Sequence, residues 1–386
     1  MKFLFVLNID LSINGPSVHL MNDIILAGAK QHCSIDVLCF GKGSVSSPYV
    51  KYFSLQKKPC KESFLSRYVL LVKSAKRFYK HVKNGTYDAI FLQSSPASFW
   101  FTRLFSKFGC PIIYNAQDLF PHNLFFSKQM PGGRLLFLLF NFLEKQSYRK
   151  MSKIITISDD MKNTIVRYLC PKESKISVVY NWSYSDDAIV FRQSDHRLSD
   201  NILNPSKYNV VYAGNIGKMQ NINLIISVAK LLKDIDFVHF TIIGEGVEKD
   251  KLMHLSDGLN NISFFEFQSV ATSEIVYALA DVNIIPLVPK GIYTALPSKS
   301  ATCLRSGQIC LFCIDTESIF AKKISNEDGV FVYNPTDIIG IANLIKLLSS
   351  RNHSSFSRLN FIKTNMSSEF NPKRYIDIIK GACDIS

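Results

Sequence analysis

Residues 209–246, NVVYAGNIGKMQNINLIISVAKLLKDIDFVHFTIIGEG, read as one strand–helix–strand unit with a glycine turn closing each strand. Asn209 to Gly214 is a short apolar strand, and Asn221 to Lys233 repeats apolar residues at helical spacing. Phe237 to Ile243 is a second strand, ending in Gly244-Glu245-Gly246. In an open parallel sheet, ligands bind beyond the carboxyl ends of the strands, where free backbone N–H groups and helix N-termini favour phosphate. Gly-x-Gly after a strand fits two readings, a nucleotide or nucleotide-sugar site whose ligand approaches the backbone, or a plain tight turn.

Outward from this unit the same alternation continues. Before it, apolar runs at Phe3–Leu7, Ile35–Phe40, Ala89–Gln93, Pro111–Asn115, Lys153–Ile157 and Ile176–Tyr180 are separated mostly by helix-length segments. After it come Ile262–Phe267, Asp281–Leu287, Gln308–Ile314 and Val330–Tyr333. That rhythm specifies α/β structure with parallel sheets. At 386 residues the chain suits two domains. The polar stretch 184–206 reads as the linker, giving an N-terminal domain over 1–183, a C-terminal domain over 207–371, and a last helix over 372–386 that crosses back to the N-terminal domain.

Hydrophobic residues make up 47% of the chain and charged ones 20%, the composition of a folded globular protein. The nine cysteines are odd in number and lie mostly in apolar runs, which fits a reduced cytosolic setting. Cys310 and Cys313 form a CxxC inside Ile309–Ile314 with no second ligand pair, so they read as core rather than metal ligands. Asp234-Ile235-Asp236 reads as a surface turn, not a metal site. The apolar run Phe3–Leu7 is too short for a signal peptide, and Leu135–Phe140 falls short of the about 20 residues that span a bilayer.

Charge is unevenly distributed. Residues 1–180 carry 25 Lys and Arg against 10 Asp and Glu, a net +15, whereas residues 181–386 carry 20 against 21. A basic half suits nucleic acid, an anionic membrane surface or an acidic substrate. Two segments favour the membrane. In Phe64–Lys83, Leu65, Tyr68, Val69, Val72, Ala75, Tyr79 and Val82 recur at helical spacing, with Arg67, Lys73, Arg77 and Lys80 on another face. In Arg134–Lys153 the first half is apolar on all sides and runs into Lys145, Arg149 and Lys150, so it is either a core helix or one that enters lipid through residues such as Phe137 and Phe140. Nucleic acid lacks support, since no zinc-finger spacing, helix-turn-helix or RNA-binding motif is present.

Short motifs then narrow the reading. The N-terminal half contains Asn14-Gly-Pro-Ser-Val-His19, Asn115-Ala-Gln-Asp-Leu-Phe-Pro121, Ile155-Thr-Ile-Ser158 and Val179-Tyr-Asn-Trp182. The C-terminal half contains Tyr212-Ala-Gly-Asn-Ile-Gly217 with Gln220-Asn221, Gly244-Glu-Gly246, Ala280-Asp-Val282, and Pro297-Ser-Lys299 followed by Gly307. In their order and separation these motifs resemble the bacterial family 4 glycosyltransferases, in particular the branch building O-antigen and colanic-acid-type polysaccharides. The resemblance implies a GT-B architecture, two Rossmann-like domains with parallel sheets facing an interdomain cleft. It also implies transfer of a hexosyl group from a nucleotide-sugar donor, UDP-linked, to a lipid-linked (polyprenyl-diphosphate) saccharide. The reaction would be retaining, with no metal and no cofactor, on the inner face of the cytoplasmic membrane.

A sugar-nucleotide donor leaves an anionic diphosphate, so its site must supply positive potential and fixed N–H donors. Gly214 and Asn215 are placed to offer backbone amides, and Gly244 and Gly246 to admit the donor. Pro297 and Ser298 open an apparent helix at Lys299, so a helix N-terminus, the Ser298 hydroxyl and the Lys299 ammonium converge on the phosphates; the alternative for Lys299 is a solvated surface lysine. Many members of the resembled family carry an Arg after the first glycine and a Lys-Gly five residues on, and many carry two glutamates eight apart. This chain has Asn215, Gln220-Asn221, Thr294 and Thr302 instead. The glutamate contacts therefore do not carry over, and the resemblance offers Asn215, Gln220 and the Pro-Ser-Lys motif as substitutes.

On the acceptor side, Asp118 lies just past a strand, where a carboxylate can orient or deprotonate a hydroxyl; it reads equally as a turn or helix-capping residue. His122 is a further acceptor-side candidate, as are Gly15 and Ser17, while His19 reads as structural. Two other functions fit the missing glutamates or the architecture: a non-catalytic membrane-associated nucleotide-sugar-binding protein, or a nucleotide-sugar epimerase. The basic half argues against the epimerase, whose soluble substrate needs no membrane platform.

Overall fold

The computed structural model describes residues 1–13, 15–55, 64–170, 172–189, 201–351 and 355–384; Asn14, Cys60 and the middle of the 184–206 stretch lie outside them. The chain divides into two compact units, Met1–Tyr184 with Ser368–Ser386, and Ser185–Ser367.

In the first unit seven strands, β1 (Lys2–Asp10), β2 (Ser34–Phe40), β3 (Val50–Leu55), β4 (Ala89–Gln93), β5 (Ile112–Ala116), β6 (Lys153–Thr156) and β7 (Ile176–Val178), form one sheet in the order β3-β2-β1-β4-β5-β6-β7. Every pairing is parallel. Helices cover the sheet: α1 (Pro16–Lys30), α2 (Phe64–Val82), α3 (Ser98–Phe105), α4 (His122–Phe126), α5 (Gly133–Lys150) and α6 (Asp159–Tyr168). Central strands buried on both sides need continuous apolar runs, and Phe3 to Leu7 of β1 are fully buried. α6 starts where Ser158 Oγ accepts from Met161 N at 3.1 Å, with Asp159 and Asp160 in its first turn favouring the positive end of the helix dipole.

The C-terminal helix Phe370–Cys383 belongs to this unit, burying Tyr375, Ile376 and Ile379 in the core formed with β1 and α1. Gly28 permits that approach: a Cβ there would lie 2.7 Å from Ile35 Cδ1 and 3.1 Å from Ile376 Cδ1.

The second unit has six parallel strands, β8 (Tyr208–Ala213), β9 (Val238–Ile243), β10 (Ile262–Phe265), β11 (Val282–Pro286), β12 (Ile309–Cys313) and β13 (Val330–Tyr333), in the order β10-β9-β8-β11-β12-β13. The helix between β8 and β9 spans Ile222–Leu231. Residues 201–206 pack on this unit rather than standing free: Ile202 and Leu203 are buried, and Asn204 N donates to Asn209 Oδ1 at 3.0 Å. Cys310 and Cys313 are buried on β12, and the eight described cysteines are free thiols. In each sheet the first strand sits inside, so strand order reverses at β1/β4 and again at β8/β11, the switch points where open α/β sheets bind ligands.

The two basic helices differ from their sequence patterns. α2 buries Leu71, Ala75, Phe78 and Val82, leaving Leu65 69% and Val69 43% exposed, so the buried stripe is rotated from the one read by spacing. α5 is neither a core helix nor apolar all round to solvent. Phe140 packs on Phe64, Tyr68 and Phe120, and Phe137 on His122 and Phe125, so these two rings hold the helix to its unit rather than facing out. Its outer face is Leu135 (77% exposed), Leu138 (53%), Leu139 (50%) and Phe142 (57%). Among the described residues no helix is long and apolar enough to cross a membrane.

Candidate functional site

In the second unit the residues proposed for the donor gather where β8 and β9 end. The β8–β9 ladder continues one step past the strands, where Gly214 N donates to Ile243 O at 2.9 Å. The Gly214 amide is thus already used and is not a free anion donor, contrary to the sequence reading. Gly244 and Gly246 are dictated by packing of one loop on another. A Cβ on Gly244 would sit 1.9 Å from Gly214 O, and one on Gly246 2.2 Å from Ile216 O. Ile216 N donates to Glu245 O at 2.8 Å across the same seam. Gly244→Ala is therefore expected to destabilise the protein by about 2 kcal/mol or more. Gly15→Ala is expected to leave stability nearly unchanged, because its Cβ meets nothing within 4 Å. Thermal unfolding of both variants checks the pair.

Lys299 lies at the end of β8, against Tyr212 and Gly214. Its backbone caps the short helix Ser300–Arg305, so the helix begins one residue later than the sequence implied, and Ser298 beside it is exposed. The ammonium is not that of a solvated surface lysine. Lys299 Nζ is buried 3.4 Å from the Tyr212 ring centroid and has no hydrogen-bond partner among the described residues. It also lies 2.7 Å from where a Gly214 Cβ would be, so glycine at 214 makes room for it. Burial pushes this ammonium down to about 7, with the neighbouring Cys303 thiol working in the opposite direction. A buried, unpaired cation is costly unless an anion completes it.

The loop around Lys299 is held by polar contacts. Tyr212 Oη donates to Asn215 O at 2.6 Å, and exposed Asn215 donates through Nδ2 to Gln220 Oε1 at 3.2 Å, closing the pair over Gly217. Asn221 is structural: in a left-handed conformation (φ 49°) it donates to Leu287 O at 3.2 Å and Pro335 O at 3.3 Å. Thr294 is buried and donates to Gly291 O at 3.0 Å.

In the first unit Asp118 follows β5, and the segment before it is anchored by a buried polar network that sequence reading missed. Asn115 Nδ2 donates to Gln93 Oε1 at 2.7 Å, Gln117 Nε2 to Asn115 Oδ1 at 3.1 Å, and Asn181 Nδ2 to Gln117 Oε1 at 2.8 Å. Tyr375 Oη donates to Asn115 Oδ1 at 3.2 Å. The helix-cap reading of Asp118 fails, since α4 has Pro121 at its N-cap with no side-chain cap. The surrounding protein pushes the Asp118 carboxyl up to about 6, although the residue is exposed and water on its open side works against the shift.

His122 is buried among Phe126, Phe137 and Tyr168, its Nδ1 without a partner among the described residues. Burial, with the Lys145 charge adding to it, pushes the imidazole down to about 4, so it is neutral at pH 7. Gly15 and Ser17 lie at the start of α1, Ser17 exposed and Gly15 with extended backbone (φ 173°) that any residue adopts. His19 is structural: Nε2 is 3.3 Å from Ser183 O and from Asp23 Oδ2, and the ring stacks on Tyr184.

Residues 14–182 match the Glycosyltransferase Family 4 model, and residues 196–292 match Glycosyl transferases group 1. A protein described as the colanic acid biosynthesis glycosyl transferase WcaI of Escherichia coli is 23% identical over 261 residues, 65% of this chain and 62% of its own. A protein described as the glycosyltransferase WbjE of Pseudomonas aeruginosa is 24% identical over 271 residues, 68% and 64% of the two chains. The chain thus spans less than two thirds of the length of these curated relatives. Among solved structures, Anabaena HepE in complex with UDP superposes with a TM-score of 0.70 at 13% identity, covering 99% of this chain and 100% of its own. WaaG, a glycosyltransferase involved in lipopolysaccharide biosynthesis, gives 0.68 at 13% identity with 99% of each chain covered. Two parallel-sheet units, two glycosyltransferase models matching successive stretches and these relatives agree: residues 14–182 match glycosyltransferase family 4, residues 196–292 match group 1, and the chain has the GT-B fold.

Proposed function

We propose that this protein transfers a sugar from a UDP-linked donor to a lipid-linked (polyprenyl-diphosphate) saccharide in the biosynthesis of a surface polysaccharide, while attached peripherally to the inner face of the cytoplasmic membrane. The observation that carries the reading is the buried Lys299 ammonium, unpartnered among the described residues, at the carboxyl end of β8 beside the β8/β11 switch point. A diphosphate is the anion that would complete it, and UDP bound to the similarly folded HepE is consistent with that choice.

In this reading the acceptor hydroxyl oxygen bonds to the anomeric carbon as the bond from that carbon to the diphosphate breaks. Lys299 stabilises the charge gathering on the leaving diphosphate, and the exposed Asn215 amide faces the same region. Asp118 takes the acceptor proton, a role suited to a carboxyl raised above its ordinary range. Ser298, Gln220, Gly214, Gly244 and Gly246 shape the donor loop, and Gly15, Ser17 and His122 shape the acceptor side. Retention of configuration, without metal, belongs to the same proposal and requires the acceptor oxygen to enter on the face of the anomeric carbon that the diphosphate leaves. The outer face of α5 and the +15 of residues 1–180 support the membrane attachment. Thermal unfolding against a panel of nucleotide sugars tests the donor: a UDP-sugar at 100 times its Kd should add about 2.7 kcal/mol of stability. No shift with any nucleotide sugar would defeat the reading.

A further inference from the structure

The first unit has an open cavity of about 500 Å³ between α3 and α5. Phe99 of α3 and Phe142 and Leu143 of α5 give it apolar walls, and Arg103 and Lys150 bring two cations to it. Its hydroxyls are already used, Thr102 donating to Ser98 O at 2.8 Å and Ser147 to Leu143 O at 3.3 Å. Arg103 and Lys150 are exposed, and among the described residues neither side chain has an ion-pair or hydrogen-bond partner. The exposed stripe Leu135, Leu138, Leu139 and Phe142, at the i, i+3, i+4, i+7 spacing of one helix face, runs directly into this cavity through Phe142.

Hydrocarbon walls with two free cations match one kind of occupant, an amphiphile with an anionic head. We propose that this cavity seats one anionic phospholipid of a bilayer, its phosphate between Arg103 and Lys150 and its hydrocarbon against Phe99, Phe142 and Leu143, while the Leu135–Phe142 stripe enters the membrane. This rests on the reading that the first unit meets a membrane and adds to it a headgroup site. The geometry favours a lipid over free phosphate because apolar walls contribute nothing to a bare anion.

The test is sedimentation of the full chain with phosphatidylcholine vesicles, with and without phosphatidylglycerol. The parent should prefer phosphatidylglycerol, and Arg103→Ala/Lys150→Ala should lower that preference by about 10- to 30-fold while weaker attachment through the stripe persists. Lys51→Ala/Lys172→Ala, which removes the same charge from exposed positions outside the cavity, should lose much less. An equal loss in both double variants would replace the site by diffuse attraction. Displacement by inorganic phosphate as effective as by short-chain phosphatidylglycerol would make the ligand a free anion and overturn the lipid assignment. A parent that binds both vesicle types equally sinks the headgroup site but leaves membrane attachment standing; one that binds neither overturns both. Concentration-dependent dimerisation abolished by Phe142→Ser, with no vesicle binding, would mean that a second copy covers the stripe.

Discussion

Methionine at position 299 is expected to weaken UDP binding by about 10- to 100-fold, the loss of one charge-assisted hydrogen bond, while leaving the ligand-free protein at least as stable as the parent. The two halves of this expectation have one cause. Without ligand the Lys299 ammonium is buried over Tyr212 with no hydrogen-bond partner among the described residues, so an apolar chain of similar length relieves a desolvation cost. With diphosphate bound as proposed, the same ammonium would meet an anion. The sign of the pH dependence follows. Burial lowers the group from 10.5 to about 7, so across that window the unfolded chain holds a proton the folded chain lacks, and stability rises with pH. Diphosphate favours the charged form, so binding above pH 7 should take up a proton and weaken as pH rises. Calorimetry in buffers of different protonation heat measures the uptake, which Lys299→Met should abolish. A folded variant with parental UDP affinity would remove Lys299 from the site.

Asparagine at position 118 should lower the transfer rate by about 10²- to 10⁴-fold with donor affinity and thermal stability unchanged, since shape is kept while basicity is lost. The parental rate should rise with pH as Asp118 loses its proton, between the ordinary carboxylate range and about 6, then level off. His122, held near 4, cannot supply that limb. A variant with the same limb and rate would make Asp118 a bystander.

The strands were legible where the chain is buried on both faces, as at Ala89–Gln93, which the structure reproduces residue for residue, and at Phe237–Ile243, which it begins one residue later at Val238. β3 escaped because Val50–Leu55 is an edge strand, partly exposed throughout, and carries Lys51 and Ser54 among its apolar residues. The glycines of the 209–246 unit stood out, but sequence could not say what approaches them. For Gly244 and Gly246 it is the backbone of Gly214 and Ile216, a contact between segments from neighbouring strands. The Pro-Ser-Lys context singled out Lys299, yet its burial against Tyr212 is a tertiary fact. The network holding the Gln117–Asp118 segment joins Gln93, Asn115, Asn181 and Tyr375 from four distant stretches, each an ordinary polar residue by itself. On α5 the sequence is apolar on both sides, so only packing distinguishes the inward Phe137 and Phe140 from the outward Leu135 and Phe142.

Release of UDP from the sugar nucleotide that most stabilises the protein, followed with and without a polyprenyl-diphosphate saccharide, tests the central claim most directly. Sugar transfer predicts UDP release that depends on the acceptor and yields a lipid-linked product one sugar longer. Tight binding without turnover across a panel of such acceptors, or isomerisation of the donor sugar without acceptor, would contradict it.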